Sequence, residues 1–190
     1  ALPVPIELIS QQTVGATLGS EAFAKGIQAG FFGIAAIALF LILRYRLPGL
    51  VAVVSLGFYI VLVLTVFKLL PVTLSAAGIA GLLLSIGMAV DANILTFERM
   101  REEVRWGRTL ETALYEGFRR AWPSIRDSNI STLITATILY WFGSSIIRGF
   151  ALTLGIGVLA SIFSGLVVTR MFLYALGFRQ NRIFNFLYRI

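Results

Sequence analysis

Long apolar runs separated by short polar connectors dominate the pattern of this chain. Five of them approach the roughly 20 residues that a helix needs to cross about 30 Å of hydrocarbon. They cover residues 23–43, 50–67, 73–97, 127–143 and 149–175. Continuous runs of this length favour helices over the short alternating segments of a transmembrane barrel. The pattern therefore predicts an all-α membrane protein with five transmembrane helices.

The fourth stretch is the least apolar of the five. A helix over residues 127–143 has to include Ser128, Asn129, Ser131 and Thr132. Such side chains are tolerated inside a span when they face other helices. We therefore expect the polar side of this helix to pack against the rest of the bundle.

The connector between the third and fourth stretches carries an amphipathic pattern. Apolar and small residues recur there at helical spacing, at Leu110, Ala113, Leu114, Gly117, Phe118 and Ala121. This spacing predicts a cytoplasmic interfacial helix over about residues 109–121. Either the apolar stripe of this helix rests on the membrane or on neighbouring spans, or the helix docks a partner.

The basic residues are distributed unequally between the two sides of the membrane. The first and third connectors and the C-terminal tail hold twelve Lys and Arg residues, whereas the opposite side holds three. Because cytoplasmic loops are enriched in basic residues, the N-terminal side lies outside and the C-terminus in the cytoplasm. We expect residues 1–22 to end an extracytoplasmic domain and its linker, residues 23–176 to form the transmembrane domain and residues 177–190 a cytoplasmic tail. The chain is then a fragment of a longer protein.

The composition excludes several classes of protein. With 58% hydrophobic and 13% charged residues and a mean hydropathy of +0.89, the chain is too apolar for a soluble enzyme. It has no Cys and no His, so disulfides, thiol chemistry and imidazole or thiolate metal sites are excluded, and we expect no catalytic residue, metal or cofactor. The net charge of +7 fits cytoplasmic loops beside membrane lipids better than nucleic-acid binding. If protons move through this protein, carboxylates have to carry them.

Asp91 is the candidate for that role. It lies about six residues inside the cytoplasmic end of the third span, roughly 10 Å deep at 1.5 Å per residue. An ionised Asp at the centre of a span costs about 2.5–3.5 kcal/mol, so it is protonated, paired or facing a hydrated cavity. A purely structural hydrogen bond to a neighbouring helix is the alternative. No basic residue lies at matching depth in another span, which predicts a counter-charge on a second polypeptide half.

Asn93 joins Asp91 as a candidate for the proton path, and Glu98, Asp127 and Asn129 are weaker candidates for it. Asn93 completes an Asp-x-Asn sequence with Asp91, and Asp127 and Asn129 repeat that sequence at the start of the fourth span. Asp127 also suits a helix N-cap, which would explain it structurally. Glu98 lies two turns beyond Asp91 and is either a cytoplasmic mouth of the path or an interfacial charge beside basic residues.

Small residues at Gly157, Ser161 and Gly165 of the fifth span recur every four residues. This spacing is typical of helices that approach one another closely in membranes. We therefore expect a close helix contact along that face.

The third span and its surroundings resemble the SecD branch of the SecD/SecF family. The resemblance covers nearly the whole chain. It is carried by Met88-Ala89-Val90-Asp91-Ala92-Asn93-Ile94-Leu95, by Gly117-Phe118-Arg119-Arg120-Ala121-Trp122-Pro123, by Gly149-Phe150-Ala151-Leu152-Thr153-Leu154-Gly155 and by Leu2-Pro3-Val4-Pro5-Ile6. The sequence Asp127-Ser128-Asn129 departs from the family, which more often has Ala and a Thr pair in that segment.

This resemblance implies a fold, partners and a role. The chain would form five helices of a six-span half of the resistance-nodulation-division type in the bacterial cytoplasmic membrane. A separate or fused SecF half would supply the other six spans. The pair would use the proton motive force, with Asp91 as the intramembrane aspartate, to help preproteins cross through SecYEG.

Two other functions remain as alternatives. An exporter of small amphiphiles from the same superfamily would share the fold and the proton coupling. A passive assembly subunit would move no ions. An intramembrane aspartyl protease is excluded for this chain, because it needs a second catalytic Asp at depth on another helix.

Overall fold

The computed structural model describes residues 16–177, in which every regular element is helical. The helices are α1 (Ala16–Tyr45), α2 (Leu47–Leu69), α3 (Ala76–Arg105), α4 (Leu110–Phe142), α5 (Ser145–Phe163) and α6 (Thr169–Gly177). A π-helical turn, Ser164–Val168, joins α5 to α6. The sequence-based prediction of an all-α membrane protein is confirmed.

The ends of the helices follow from local sequence. The Ser75 hydroxyl caps α3 by accepting a hydrogen bond from Gly78 N at 3.1 Å, and the Thr109 hydroxyl caps α4 by accepting one from Thr112 N. Gly107 adopts a φ of 81° in the turn between these helices. A left-handed φ of this kind is accessible to glycine at little steric expense. The turn therefore returns the chain directly along α3.

Helix α3 lies at the centre of the bundle. It packs against α1, α2, α4, α5 and the π turn. At the crossing with α5, a Cβ at Gly81 would collide with Thr153 and the Phe150 carbonyl, and one at Gly157 would collide with Ser85. Glycine therefore permits the close contact that the small-residue spacing of the fifth span predicts.

Four of the described helices are long and apolar enough to cross a membrane, namely Gly19–Tyr45, Leu47–Leu69, Ala76–Arg105 and Ser145–Phe163. The expected fourth span, residues 127–143, falls within α4, whose mean composition is more polar. The count of five spans therefore stays a prediction.

The structure differs from the expected helix boundaries in two places. The amphipathic segment 109–121 and the span 127–143 are one continuous helix that includes Pro123, so the interfacial helix is not a separate element. Its predicted stripe is largely buried, with Leu114 and Phe118 in the same apolar core as Met100 of α3. Packing against α3 thus continues the helix across the proline. In addition, the π turn interrupts the expected single span 149–175.

Most of the two expected terminal segments, residues 1–22 and 177–190, lies outside the described residues. Of these segments, only residues 16–22 and 177 are described, and they belong to α1 and α6.

Candidate functional site

A groove of about 190 Å³ runs between α3 and α4 beside Asp91. Its lining consists of Met88, Asp91, Ala92, Leu95, Ile125, Ser128, Asn129 and Thr132. The two helices contribute residues at the same spacing, i, i+3, i+4 and i+7. This spacing places four side chains on one face of a helix. The groove is therefore formed by matching faces of two antiparallel helices.

Each of the two Asp-x-Asn sequences contributes one side chain to this groove, and the two contribute different residue types. In α3 the aspartate, Asp91, lines the groove, whereas in α4 the asparagine, Asn129, does so. Residues two apart on a helix point in directions about 200° apart. As a result, Asn93 and Asp127 are directed away from the groove.

The Asp91 side chain is exposed on the groove, near the middle of α3. Within residues 16–177, neither a hydrogen bond nor an ion pair engages its carboxylate. The groove offers it polar neighbours but no basic residue. Because an unpaired charge at such depth is costly, the Asp91 carboxyl is either protonated or meets a cation, a hydrogen-bond donor or water that residues 16–177 do not supply.

The polar side chains of α4 in the groove donate to their own helix. Asn129 Nδ2 donates to the Ile125 carbonyl at 2.7 Å, Ser128 Oγ to the same carbonyl at 3.1 Å, and Thr132 Oγ1 to the Ser128 carbonyl at 3.0 Å. Their remaining lone pairs are acceptors. The groove is thus rich in acceptors, which suits a cationic or hydrogen-bond-donating group.

Asn93 belongs to a buried polar cluster on the other side of α3. Its Oδ1 accepts a hydrogen bond from Thr169 Oγ1 at 2.9 Å, and Thr169 Oγ1 lies 2.8 Å from Ser55 Oγ. Ser164 Oγ in turn donates to the Ser55 carbonyl at 3.0 Å. This cluster connects α2, α3, the π turn and α6, and all four side chains are buried.

Glu98 lies in an ion-pair cluster at the cytoplasmic end predicted for the first span. Its Oε1 accepts a hydrogen bond from Tyr45 Oη at 2.9 Å and lies 3.3 Å from Arg44 Nη2. Arg101 is a further cation at 3.8 Å. These contacts connect α1 to α3. They favour the interpretation of Glu98 as an interfacial charge over its interpretation as the mouth of a proton path.

Asp127 is exposed, and its Oδ1 accepts a hydrogen bond from Arg126 Nε at 2.9 Å. It lies within α4 rather than at the helix start, where Thr109 is the N-cap. The N-cap interpretation of Asp127 is therefore wrong, because the helix begins 17 positions earlier, at Leu110.

Sequence reasoning missed the polar cluster around Thr169 and a buried carboxylate, Glu103. Serine and threonine are common in membrane helices and usually bond to their own backbone, so no local pattern distinguishes those that meet across helices. Glu103 stands in a run of charged residues, which is typical of a solvated helix. Among the described residues, no group of three or more acidic side chains is arranged to hold a metal ion.

Comparison with known proteins matches this architecture and these residues to one family. The family "Protein export membrane protein SecD/SecF, C-terminal" matches residues 3–179. The chain is 58% identical over 177 residues to the protein translocase subunit SecD of Thermobaculum terrenum, covering 91% of this chain and 34% of that protein. It is 53% identical over 173 residues to the SecD subunit of Synechocystis, covering 91% and 37%. The chain thus spans about a third of the length of these relatives.

Solved structures agree with the sequence relatives. The crystal structure of SecDF, a translocon-associated membrane protein from Thermus thermophilus, superimposes with a TM-score of 0.85 at 44% identity, covering 87% of this chain and 23% of that one. SecDF in its super-membrane-facing form gives a TM-score of 0.83 at 42% identity, covering 95% and 25%. The resemblance found in the sequence is confirmed, and the chain belongs to the SecD/SecF family of protein export membrane proteins.

Proposed function

We propose that this chain is the transmembrane part of a SecD-type subunit that uses the proton motive force to assist preprotein translocation. The observation that carries the proposal is the unpaired Asp91 carboxylate, exposed on an acceptor-rich groove between α3 and α4. A carboxylate in that position can take up a proton from one side of the membrane and release it to the other. The subunit would lie in the bacterial cytoplasmic membrane, with its C-terminus in the cytoplasm.

The groove also indicates what the partner supplies. A basic or donating side chain from a SecF half, separate or fused, would enter the groove and pair with ionised Asp91. Protonation of Asp91 would remove the charge and weaken that pairing, so the two halves could move relative to one another. A charge crossing 100 mV gains about 2.3 kcal/mol, which is enough to bias a conformational equilibrium of a few kcal/mol. We propose that this motion assists a preprotein emerging from SecYEG.

The test is preprotein export in cells depleted of their resident SecD and supplied with the full-length parent protein. Asp91→Asn keeps the size of the side chain but cannot bind and release a proton. Asp127→Asn is the matched control, since Asp127 lies outside the groove and bonds to Arg126. We expect the wild type and Asp127→Asn to restore export and Asp91→Asn to fail, at equal membrane levels and equal SecF association.

Each other outcome has a definite meaning. Export restored equally by Asp91→Asn would show that the carboxylate is not the proton carrier. Failure of the wild type to restore export would instead argue against a role in preprotein translocation altogether.

A further inference from the structure

The Thr169 hydroxyl lies between two acceptors on different helices. It is fully buried, 2.9 Å from Asn93 Oδ1 on α3 and 2.8 Å from Ser55 Oγ on α2, and its geometry makes it the donor to both. A hydroxyl has a single proton to donate. Asn93 Oδ1 and Ser55 Oγ therefore compete for that one proton.

The π turn is what directs Thr169 toward these acceptors. It occupies Ser164–Val168, immediately before Thr169. A π turn inserts one extra residue, and one residue corresponds to about 100° of helix rotation. Without it, the start of α6 would present a different side chain to Asn93. Ser164 anchors the turn to α2, because its hydroxyl donates to the Ser55 carbonyl at 3.0 Å.

The turn of α3 that bears Asp91 is packed between the groove and the π turn. Asp91 faces the groove, while Ala92 and Asn93 meet the π turn at Gly165, where a Cβ would lie 3.5 Å from Ala92 Cβ. Because Asn93 is only two residues from Asp91, a bond that fixes Asn93 also fixes the rotation of α3 at Asp91.

We propose that Thr169 is a positioning residue for Asp91: by donating to Asn93, it sets the rotation of α3 and thereby the direction of the carboxylate in the groove. Ser55 is the competing acceptor that releases Asn93 when Thr169 donates to it instead. The consequence for export rests on the proposed function above, whereas the positioning itself does not.

A cysteine-labelling experiment tests the positioning directly. These 190 residues contain no cysteine, so Asp91→Cys provides the reporter in the full-length protein, assembled with SecF in membranes, once any cysteine elsewhere in the two proteins is replaced by serine. The measurement is the rate at which a small methanethiosulfonate reagent modifies position 91. Thr169→Val removes the donor at nearly constant volume, and Thr169→Ser keeps it. We expect Thr169→Val to change the rate severalfold and Thr169→Ser to leave it unchanged.

Ser55→Ala distinguishes positioning from general loosening of the core. It removes the competing acceptor and leaves Thr169 to donate to Asn93, so it should not reproduce the change caused by Thr169→Val. An unchanged rate in Thr169→Val, or the same change in Ser55→Ala, would overturn the proposal. If Thr169→Val fails to accumulate in membranes, Asn93→Leu removes the same bond from the acceptor side and has the same expected result.

Export with Asp91 intact gives the functional measurement. Thr169→Val should slow proton-driven export severalfold at equal membrane level, and Thr169→Ser should restore it. If Asp91→Asn left export unchanged, the proposed function would fail while the labelling result still stood. If Asp91→Asn stopped export but Thr169→Val matched the wild type in both measurements, the positioning role alone would fail.

Discussion

Arg120 Nη1 lies 2.6 Å from Oε1 of Glu103, a carboxylate that is 1% exposed, and this pair joins the end of α3 to the first half of α4. Arg108 adds a second cation 2.9 Å from Oε2, without hydrogen-bond geometry. The Arg120 guanidinium also lies over the Trp106 ring, 5.0 Å from its centroid. Glu103 is thus a structural charge that holds the α3–α4 turn closed.

Arg120→Ala should destabilise the protein by up to about 3 kcal/mol, because removing one partner of a buried ion pair leaves the buried charge of Glu103 only partly compensated. The value is at the low end for such pairs, since Arg108 remains beside Glu103. The measurement is thermal unfolding of the full-length protein in detergent.

The matched control is Arg119→Ala at the adjacent position. Arg119 is largely exposed and pairs with Glu116 along the same helix. Surface pairs contribute about 0–1 kcal/mol, so this variant should unfold close to the wild type. Equal destabilisation by the two substitutions would contradict the assignment of Glu103 as a buried anchor.

Gly157→Ala should push α3 and α5 apart. A Cβ at this position would collide with Ser85 and approach Tyr59 Oη at 3.0 Å, and these two hydroxyls share a hydrogen bond of 2.7 Å. Overpacking of this kind costs about 1–3 kcal/mol. The thermal midpoint in detergent should fall accordingly.

Gly155→Ala is the control, because it makes the same replacement of glycine by alanine in α5 at a position without the close contact. The nearest atom to a Cβ at Gly155 is Ala136 Cβ at 3.9 Å, an ordinary contact. Alanine also favours the helix over glycine by about 1 kcal/mol. This variant should be as stable as the wild type or more so, and a comparable loss of stability would argue against the α3–α5 contact as described.

Part of this structure follows directly from the sequence. The length of the apolar runs predicts helices, and the cost of a carboxylate inside a span singles out Asp91. Periodicity alone does not predict which neighbour covers each helix face. For this reason, Asn93 could be grouped with Asp91 in a proton path, although the two side chains point to different sides of α3.

The continuity of α4 and the π turn could not be predicted for a related reason. Pro123 removes one backbone donor and usually ends or bends a helix. Here the apolar stripe that includes Leu114 and Phe118 packs on α3 and keeps the helix intact. Likewise, the π turn depends on contacts between Ser55, Ser164 and Thr169, residues up to 114 positions apart.

Glu98→Gln should support export as well as the wild type does. Glu98 is held by Tyr45 and Arg44 in a contact between α1 and α3, and a glutamine keeps an acceptor for the Tyr45 hydroxyl. Export in the depleted strain, at equal membrane levels, is the measurement. Loss of export in this variant would place Glu98 in the proton path instead.

Proton flux tests the central role of Asp91 most directly. The full-length protein and its SecF partner are reconstituted in liposomes that contain a pH-sensitive dye, and a pH gradient is imposed. We expect flux above the lipid leak for the wild type and for Asp127→Asn, and none for Asp91→Asn. Equal flux through the wild type and Asp91→Asn would show that Asp91 does not carry the proton.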